Sequence, residues 1–137
     1  MNLPAASTSA NANNAFAALT THQYLLLTTY RKSGAGVPTP VWFAQDADRV
    51  YVMTPASTGK LKRIHNNGRA TLAPCKANGQ MLGASIEGTA RILSLAEQSI
   101  ADRALVRKYG LLYRIFIGLQ IVRHIKRTYI EIQPVQA

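Results

Sequence analysis

Val37-Pro38-Thr39-Pro40-Val41-Trp42-Phe43, followed by Ser57-Thr58-Gly59-Lys60-Leu61-Lys62-Arg63, decides how this chain of 137 residues is read. The first stretch has the composition of a strand, yet Pro38 and Pro40 carry no N–H. Residues two apart in a strand turn their donors to the same edge. That edge cannot pair in the ordinary way, so it marks a strand end, a bulge, or a place where something else lies against the backbone. The second stretch reads as a helix N-terminus loaded with cations, a natural seat for a phosphate. A flat ring on the interrupted strand and a phosphate at the helix start would together make a nucleotide-type cofactor site.

Around these two stretches the chain alternates strands with few helices. Ala15 to Thr20 reads as a short helix, and Tyr24 to Tyr30 as a strand closing at the turn Ser33-Gly34-Ala35-Gly36. Val37 to Gln45 and Val50 to Thr54 are the next strands, joined through Asp46-Ala47-Asp48. Gly59 to Asn67 is a short helix with Leu61 and Ile64 inward and Gly68 as its stop. Arg69 to Lys76 is a strand, and Asn78-Gly79 is a strong hairpin signal. Its partner, Met81 to Leu93, is long and carries Gly83 and Gly88, so it is expected to bend or bulge. Leu95 to Tyr109 and Leu111 to Arg123 read as helices broken at Gly110, and Thr128 to Gln133 as a closing strand.

Six strands joined mostly by tight turns predict a mainly β fold, an antiparallel sheet closed into a barrel with flanking helices, because open edges must be covered. A doubly wound fold does not fit: one helix sits between strands, and no G-x-G-x-x-G follows the first of them. Residues 1–14 are small and polar and read as a disordered lead-in without the features of a secretory signal; residues 15–137 read as a single domain. No apolar run reaches the ~20 residues of a membrane span. The single cysteine, Cys75, excludes an intramolecular disulfide framework, fits a cytoplasmic location, and reads as a small apolar filler in a buried strand.

The formal charge is +10, from sixteen basic and six acidic residues. The excess is clustered at Lys60, Lys62, Arg63 and Arg69 and again from Arg103 to Arg127. Such a balance points to a polyanionic ligand, a nucleic acid, an anionic membrane or a solvated basic surface. Aromatic residues do not interleave with the cations as a single-strand platform requires, which argues against nucleic acid. Leu111 to Val122 is apolar on more than one side and flanked by Arg114 and Arg123; it is expected to cover the barrel and pack on a partner subunit rather than lie on a membrane.

Several short patterns carry little. Ser57-Thr58-Gly59-Lys60 satisfies S-x-x-K, but the S-D-N and K-T-G elements that accompany that nucleophile are missing. Gly59-Lys60 lacks the upstream glycine and the following Ser or Thr of a P-loop. His22, His65 and His124 are far apart with no carboxylate or cysteine at ligand spacing, so no metal site is expected. Ser57 or Thr58 is expected to cap the helix and leave first-turn N–H groups free for an anion, with Lys60 in the first turn and Arg63 on the same face.

Taken together, Tyr24 to Thr29, Val37 to Phe43, Thr58-Gly59-Lys60-Leu61-Lys62-Arg63, Thr71 to Cys75, Glu87-Gly88-Thr89-Ala90 and Tyr129 to Ile132 resemble the pyridoxamine 5′-phosphate oxidase-like split β-barrels. The nearest branch in this resemblance is the small proteins associated with the deazaflavin coenzyme F-420. The resemblance runs from Leu19 to Pro134 with its elements in the family's order, and it implies a six-stranded split barrel and a homodimer with two cofactor sites between subunits. It also implies roles. Pro38, Thr39, Pro40, Val41 and Trp42 would line the flavin or deazaflavin ring through their backbone. Lys60 would bind the phosphate, with Thr58 and Gly59 beside it, and Lys62 and Arg63 would hold an outer phosphate or tail. Some relatives carry an arginine where Thr58 stands, so the phosphate grip here is expected to be lighter. The C-terminal extension with which true pyridoxamine 5′-phosphate oxidases complete their substrate site is missing, so vitamin B6 oxidation is not expected.

The function implied is hydride transfer between coenzyme F-420 or FMN and a small organic substrate, with no side chain nominated as acid or base. The alternative is a non-catalytic carrier of FMN, F-420 or a haem-type ligand on the same fold. The excess of ten positive charges favours F-420, which carries a phosphodiester and an oligoglutamate tail, over FMN with its single phosphate.

Overall fold

Strand-forming residues at period two and tight turns between them produce six antiparallel strands. The computed structural model describes residues 16–135; the lead-in expected over residues 1–14 lies outside them. The strands are β1 (Tyr24–Tyr30), β2 (Gly36–Asp46), β3 (Arg49–Pro55), β4 (Arg69–Cys75), β5 (Ile86–Ile92) and β6 (Arg127–Pro134), with helices α1 (Gly59–Asn66), α2 (Gln98–Tyr109) and α3 (Leu111–Val122). They close a barrel in the order β1-β2-β3-β6-β5-β4. The expected N-terminal helix is a single 3-10 turn, Ala17–Leu19. Among the described residues no helix is long and apolar enough to cross a membrane.

Alternation along the strands divides the apolar side chains between two cores. Leu25, Leu27, Phe43, Val50, Val52, Leu72, Ile130 and Ile132 fill the barrel interior, joined by Phe16, Leu19 and Ile64. Each such burial contributes roughly 1.5–3 kcal/mol. Ala44, Tyr51 and Tyr129 point outward and meet Ala101, Ala104 and Leu105 of α2 and Tyr113 of α3. Gly88 is needed where strands approach closely: a Cβ there would stand 2.7 Å from Ile132 Cγ2.

Two expectations are corrected. Met81 to Leu93 is not one strand: Met81 makes an isolated bridge to Cys75, and regular pairing resumes only at Ile86 opposite Leu72. The Asn78-Gly79 turn forms, with Gly79 at φ +90°, but the chain then bends past Pro74, where Gly83 leaves room that a Cβ would take to 2.9 Å from Pro74 Cγ. Gly68 does not end α1 by a left-handed conformation. Asn67 caps that helix in extended geometry, and the Gly68 carbonyl accepts from Ala90 N at 2.7 Å, stitching the helix exit to β5.

Polar staples fix the outer elements. Glu131 on β6 accepts from Arg49 of β3 and Arg91 of β5, each at 3.0 Å, and from the Tyr51 hydroxyl at 3.1 Å. Asp102 of α2 accepts from Tyr113 of α3 at 2.9 Å and from Tyr129 of β6 at 3.0 Å, so one carboxylate joins three elements. Lys108 of α2 donates to the His22 carbonyl at 2.7 Å and lies 3.4 Å above the Phe43 ring.

Tyr113→Phe removes a buried hydroxyl from the Asp102 network and is expected to cost about 1–3 kcal/mol in a urea titration. A second expectation concerns pH. Burial lowers the Lys108 ammonium from 10.5 to about 8 in the folded chain. Between about 8 and 10.5 the unfolded chain therefore holds the proton that the folded chain has released, and stability rises with pH across that window. Lys108→Met should flatten that rise without abolishing it, since Lys60 is lowered by burial as well.

Candidate functional site

The site begins with the two prolines. Arg31 N donates to Ala35 O at 2.9 Å, and the β1–β2 register continues this pairing as Val37↔Thr29, Thr39↔Leu27 and Val41↔Leu25. Odd-numbered residues of β2 thus turn their N–H and C=O to β1, and Pro38 and Pro40 face the opposite edge. On that edge β3 pairs with β2 only from Phe43↔Val52 onward. The remainder of β3, Met53 to Pro55, stays with β6. The barrel is split there.

A cavity of about 450 Å³ occupies the split. Thr39, Pro40, Val41 and Trp42 line it from β2, Met53, Thr54 and Pro55 from β3, Thr58 and Lys60 from the start of α1, Phe116 and Gln120 from α3, and Tyr24 from β1. Trp42 is held in place by stacking on Tyr109, with ring centroids 4.8 Å apart at 18°, and by a tilted contact with Phe116 at 5.3 Å. Tyr109 is itself anchored: its hydroxyl accepts from Phe43 N at 3.1 Å and shares its one proton between the carbonyls of Gln23 at 2.7 Å and Phe43 at 2.8 Å. Burial raises this hydroxyl to about 12, so Tyr109 stays a neutral brace.

Lys60 is the electrostatic centre. The side chain is 6% exposed, on the first turn of a helix whose Thr58 cap makes no side-chain hydrogen bond. The Thr58 hydroxyl instead meets Thr54 Oγ1 at 3.4 Å, so the capping bond expected from Ser57 or Thr58 is not formed and the first-turn donors are left to other partners. Burial lowers the Lys60 ammonium from its ordinary value, and the charge of Arg63 lowers it further. Among the described residues no carboxylate pairs with it in an ion pair. A buried cation without a counter-charge is costly, and an anion entering the cavity would relieve it.

The structure gathers Thr39, Pro40, Val41, Trp42, Thr58 and Lys60 around one cavity but not the other expected residues. Pro38 stands on the same edge outside it. Gly59, Lys62 and Arg63 line a separate cleft of about 320 Å³ with Tyr30, Arg31, Lys32 and Asn66. The wheel puts Arg63 beside Lys60, yet its Nε donates to Thr29 Oγ1 at 2.7 Å, drawing the guanidinium toward β1 and over Gly59. Like charge favours that separation.

Phe116, Gln120 and Tyr109 were not among the residues read from sequence. Phe116 and Gln120 are four apart on α3 and so share a face. The available signal was Gln120 itself, an uncharged polar side chain in an otherwise apolar run. Tyr113, Ile117 and Gln120 of α3 face inward and Leu112, Ile115 and Leu119 lie outward, while Phe116, between the two sets, reaches the cavity wall and touches Trp42.

Comparison with known proteins agrees with this architecture. The family profile described as pyridoxamine 5′-phosphate oxidase matches residues 12–137. No curated protein sequence matches significantly. Among solved structures, the haem storage protein HutZ of Vibrio cholerae superposes with a TM-score of 0.64 at 12% identity, covering 85% of this chain and 84% of its own. An FAD-binding protein of Mesorhizobium loti gives 0.62 at 13% identity, covering 90% and 87%. A Clostridium acetobutylicum protein related to general stress protein 26, of the pyridoxinephosphate oxidase family, gives 0.61 at 15% identity, covering 93% and 84%. At such identities the likeness speaks for the barrel and not for what each protein binds. With the profile spanning every described residue and six strands closing as they do, the chain belongs to the pyridoxamine 5′-phosphate oxidase-like family of split β-barrels.

Proposed function

We propose that the protein is an oxidoreductase that binds coenzyme F-420 or FMN in the split between β2 and β3 and acts on a small organic substrate. The observation that carries this reading is Lys60, a cation buried without a counter-charge in a largely apolar cavity walled by Trp42 and Phe116. An aromatic wall accepts a flat ring, and the ammonium with the uncapped start of α1 accepts a phosphate. The family match and the FAD-binding relative support a flavin-type ligand.

In this reading the backbone of Thr39 to Trp42 lines the ring, free on the edge where the prolines prevent pairing. Lys60 holds the phosphate, and Thr58 stands beside it. Lys62 and Arg63, in the neighbouring cleft with Arg31 and Lys32, meet only a ligand long enough to pass Gly59, which favours a polyanionic tail over a single phosphate. When bound, the cofactor supplies hydride-transfer chemistry. The chain's part is to orient it, exclude water with Trp42, Phe116 and Met53, and neutralise its phosphate. No lining side chain is assigned as a general acid or base.

Lys60→Ala is expected to weaken binding of FMN or F-420 by about 1–3 kcal/mol, through loss of a charge-assisted contact. Fluorescence titration with each cofactor measures it; failure of both to bind wild-type protein would refute the oxidoreductase reading. A carrier without turnover would bind equally well but leave reduced cofactor unconsumed in the presence of candidate substrates, and a Soret band on titration with haem would favour a haem-type cargo.

The partner we propose is a second copy. Leu111, Leu112, Ile115 and Leu119 of α3 are exposed by 72%, 50%, 53% and 54%, an apolar ridge beside the cavity. Covering it removes apolar area from water. The protein should run as a dimer in detergent-free sedimentation equilibrium and should not pellet with phosphatidylserine vesicles at physiological salt; co-sedimentation would instead place α3 on an anionic membrane.

A further inference from the structure

Gln120 is 5% exposed, lines the cavity from α3, and its Oε1 is buried without any hydrogen-bond partner among the described residues. The cavity's other polar side chains differ from it: Tyr24 and Thr39 are only half-buried. Thr54 and Thr58 meet each other at 3.4 Å, and Lys60 is answered by a ligand's anion in the reading above. An unpaired buried acceptor costs free energy that leucine at the same place would not. Position 120 belongs to a helix made almost wholly of apolar residues, Leu111–Val122, where nothing in the fold calls for an amide. Its backbone carbonyl accepts from Ile125 N at 2.9 Å, closing the helix end, but the side chain takes no part in that contact.

A primary carboxamide offers one acceptor and one donor side by side, and a half-turn about its last torsion exchanges them. It is matched by a group that offers the reverse pair on one edge, an N–H next to a C=O. Imide and lactam rings carry such an edge. A porphyrin carries none, since its nitrogens face the ring centre.

We propose that Gln120 is a specificity-determining residue of the cavity, its carboxamide pairing with the adjacent N–H and C=O of an imide-bearing heterocycle. The proposal rests on the flavin or deazaflavin reading and deepens it by naming the edge through which the ring is recognised: the pyrimidine-dione, at N3–H and a neighbouring carbonyl. Lys60 then selects for the anion and Gln120 for the imide. A ligand with one but not the other leaves a buried polar group unmatched, which is how such sites reject near-isosteres.

The test compares FMN and its 5-deaza counterpart with their N3-methyl derivatives, titrated by fluorescence into wild-type protein and Gln120→Leu. Methylation removes the donor and puts a methyl group in its place. Wild-type protein should prefer the unmethylated ring by about tenfold, the loss expected for one buried hydrogen bond. Gln120→Leu should bring the two affinities close together. The ratio is read on the same folded molecules, so partial loss of folding in the variant does not alter it, and the wild-type ratio needs no variant at all. Equal affinity for methylated and unmethylated rings in wild-type protein, or an unchanged ratio in Gln120→Leu, would overturn this inference while leaving the flavin reading intact. Binding of none of the four ligands would overturn both.

Discussion

The absence of two N–H groups on one edge of β2 is the constraint from which the rest of the site follows. Because β1 takes the odd-numbered residues of β2, Pro38 and Pro40 stand on the β3 side, where a ladder would need their donors. β3 meets β2 at Phe43 and leaves it by Met53, keeping its pairing with β6. A barrel closed around its circumference therefore opens at this seam. The seam is wide enough for a cavity of about 450 Å³, and the α1 start that follows β3 through a short turn lies at its mouth.

Lys60 shows how the fold tolerates what it does not favour. Burial of an ammonium without a carboxylate works against folding, and the lowered proton affinity of Lys60 is the thermodynamic sign of that opposition. The two apolar cores, with the Glu131 and Asp102 networks at their margins, supply the stability against which such a group is kept. Gln120 adds a second unmatched polar group in the same cavity. Local conflicts of this kind, set in a chain whose strands and turns otherwise agree with the fold, are the usual mark of a binding site.

Much of the barrel was legible in the chain because its signals are local. Strand composition over Tyr24–Tyr30, the Asn78-Gly79 turn, the break at Gly110 and the alternation before Pro134 each depend on a few neighbouring residues, and each appears where it was expected. The proline pair and the cationic helix start likewise announced themselves. What was not legible depends on distant partners. Arg63 follows the helix wheel toward Lys60 but is drawn away by Thr29 on another strand. Met81 to Ile86 has a strand's composition but must pass Pro74, which interrupts regular pairing. Phe116 and Gln120 reach the cavity because α3 folds back against α2, which sets Phe116 on Trp42 of β2, and no local pattern gives that packing.

Helix α3 is where the cavity and the outer surface meet. Tyr113 ties the helix to Asp102 and Tyr129, so its inner face is fixed to α2 and β6. Phe116, 38% exposed, touches Trp42 on one side and belongs to the outward apolar ridge on the other. Trp42 in turn stacks on Tyr109, whose hydroxyl holds the end of β2 in place of a neighbouring strand. A continuous set of packed rings thus runs from the exposed ridge through the cavity wall to the strand that makes the split. A surface that covered the ridge would touch Phe116, which packs on Trp42. Were a second copy to cover α3 and a ligand to fill the cavity, as proposed, both would meet at Phe116, and any coupling between them would be reciprocal, each altering the other's affinity by the same factor.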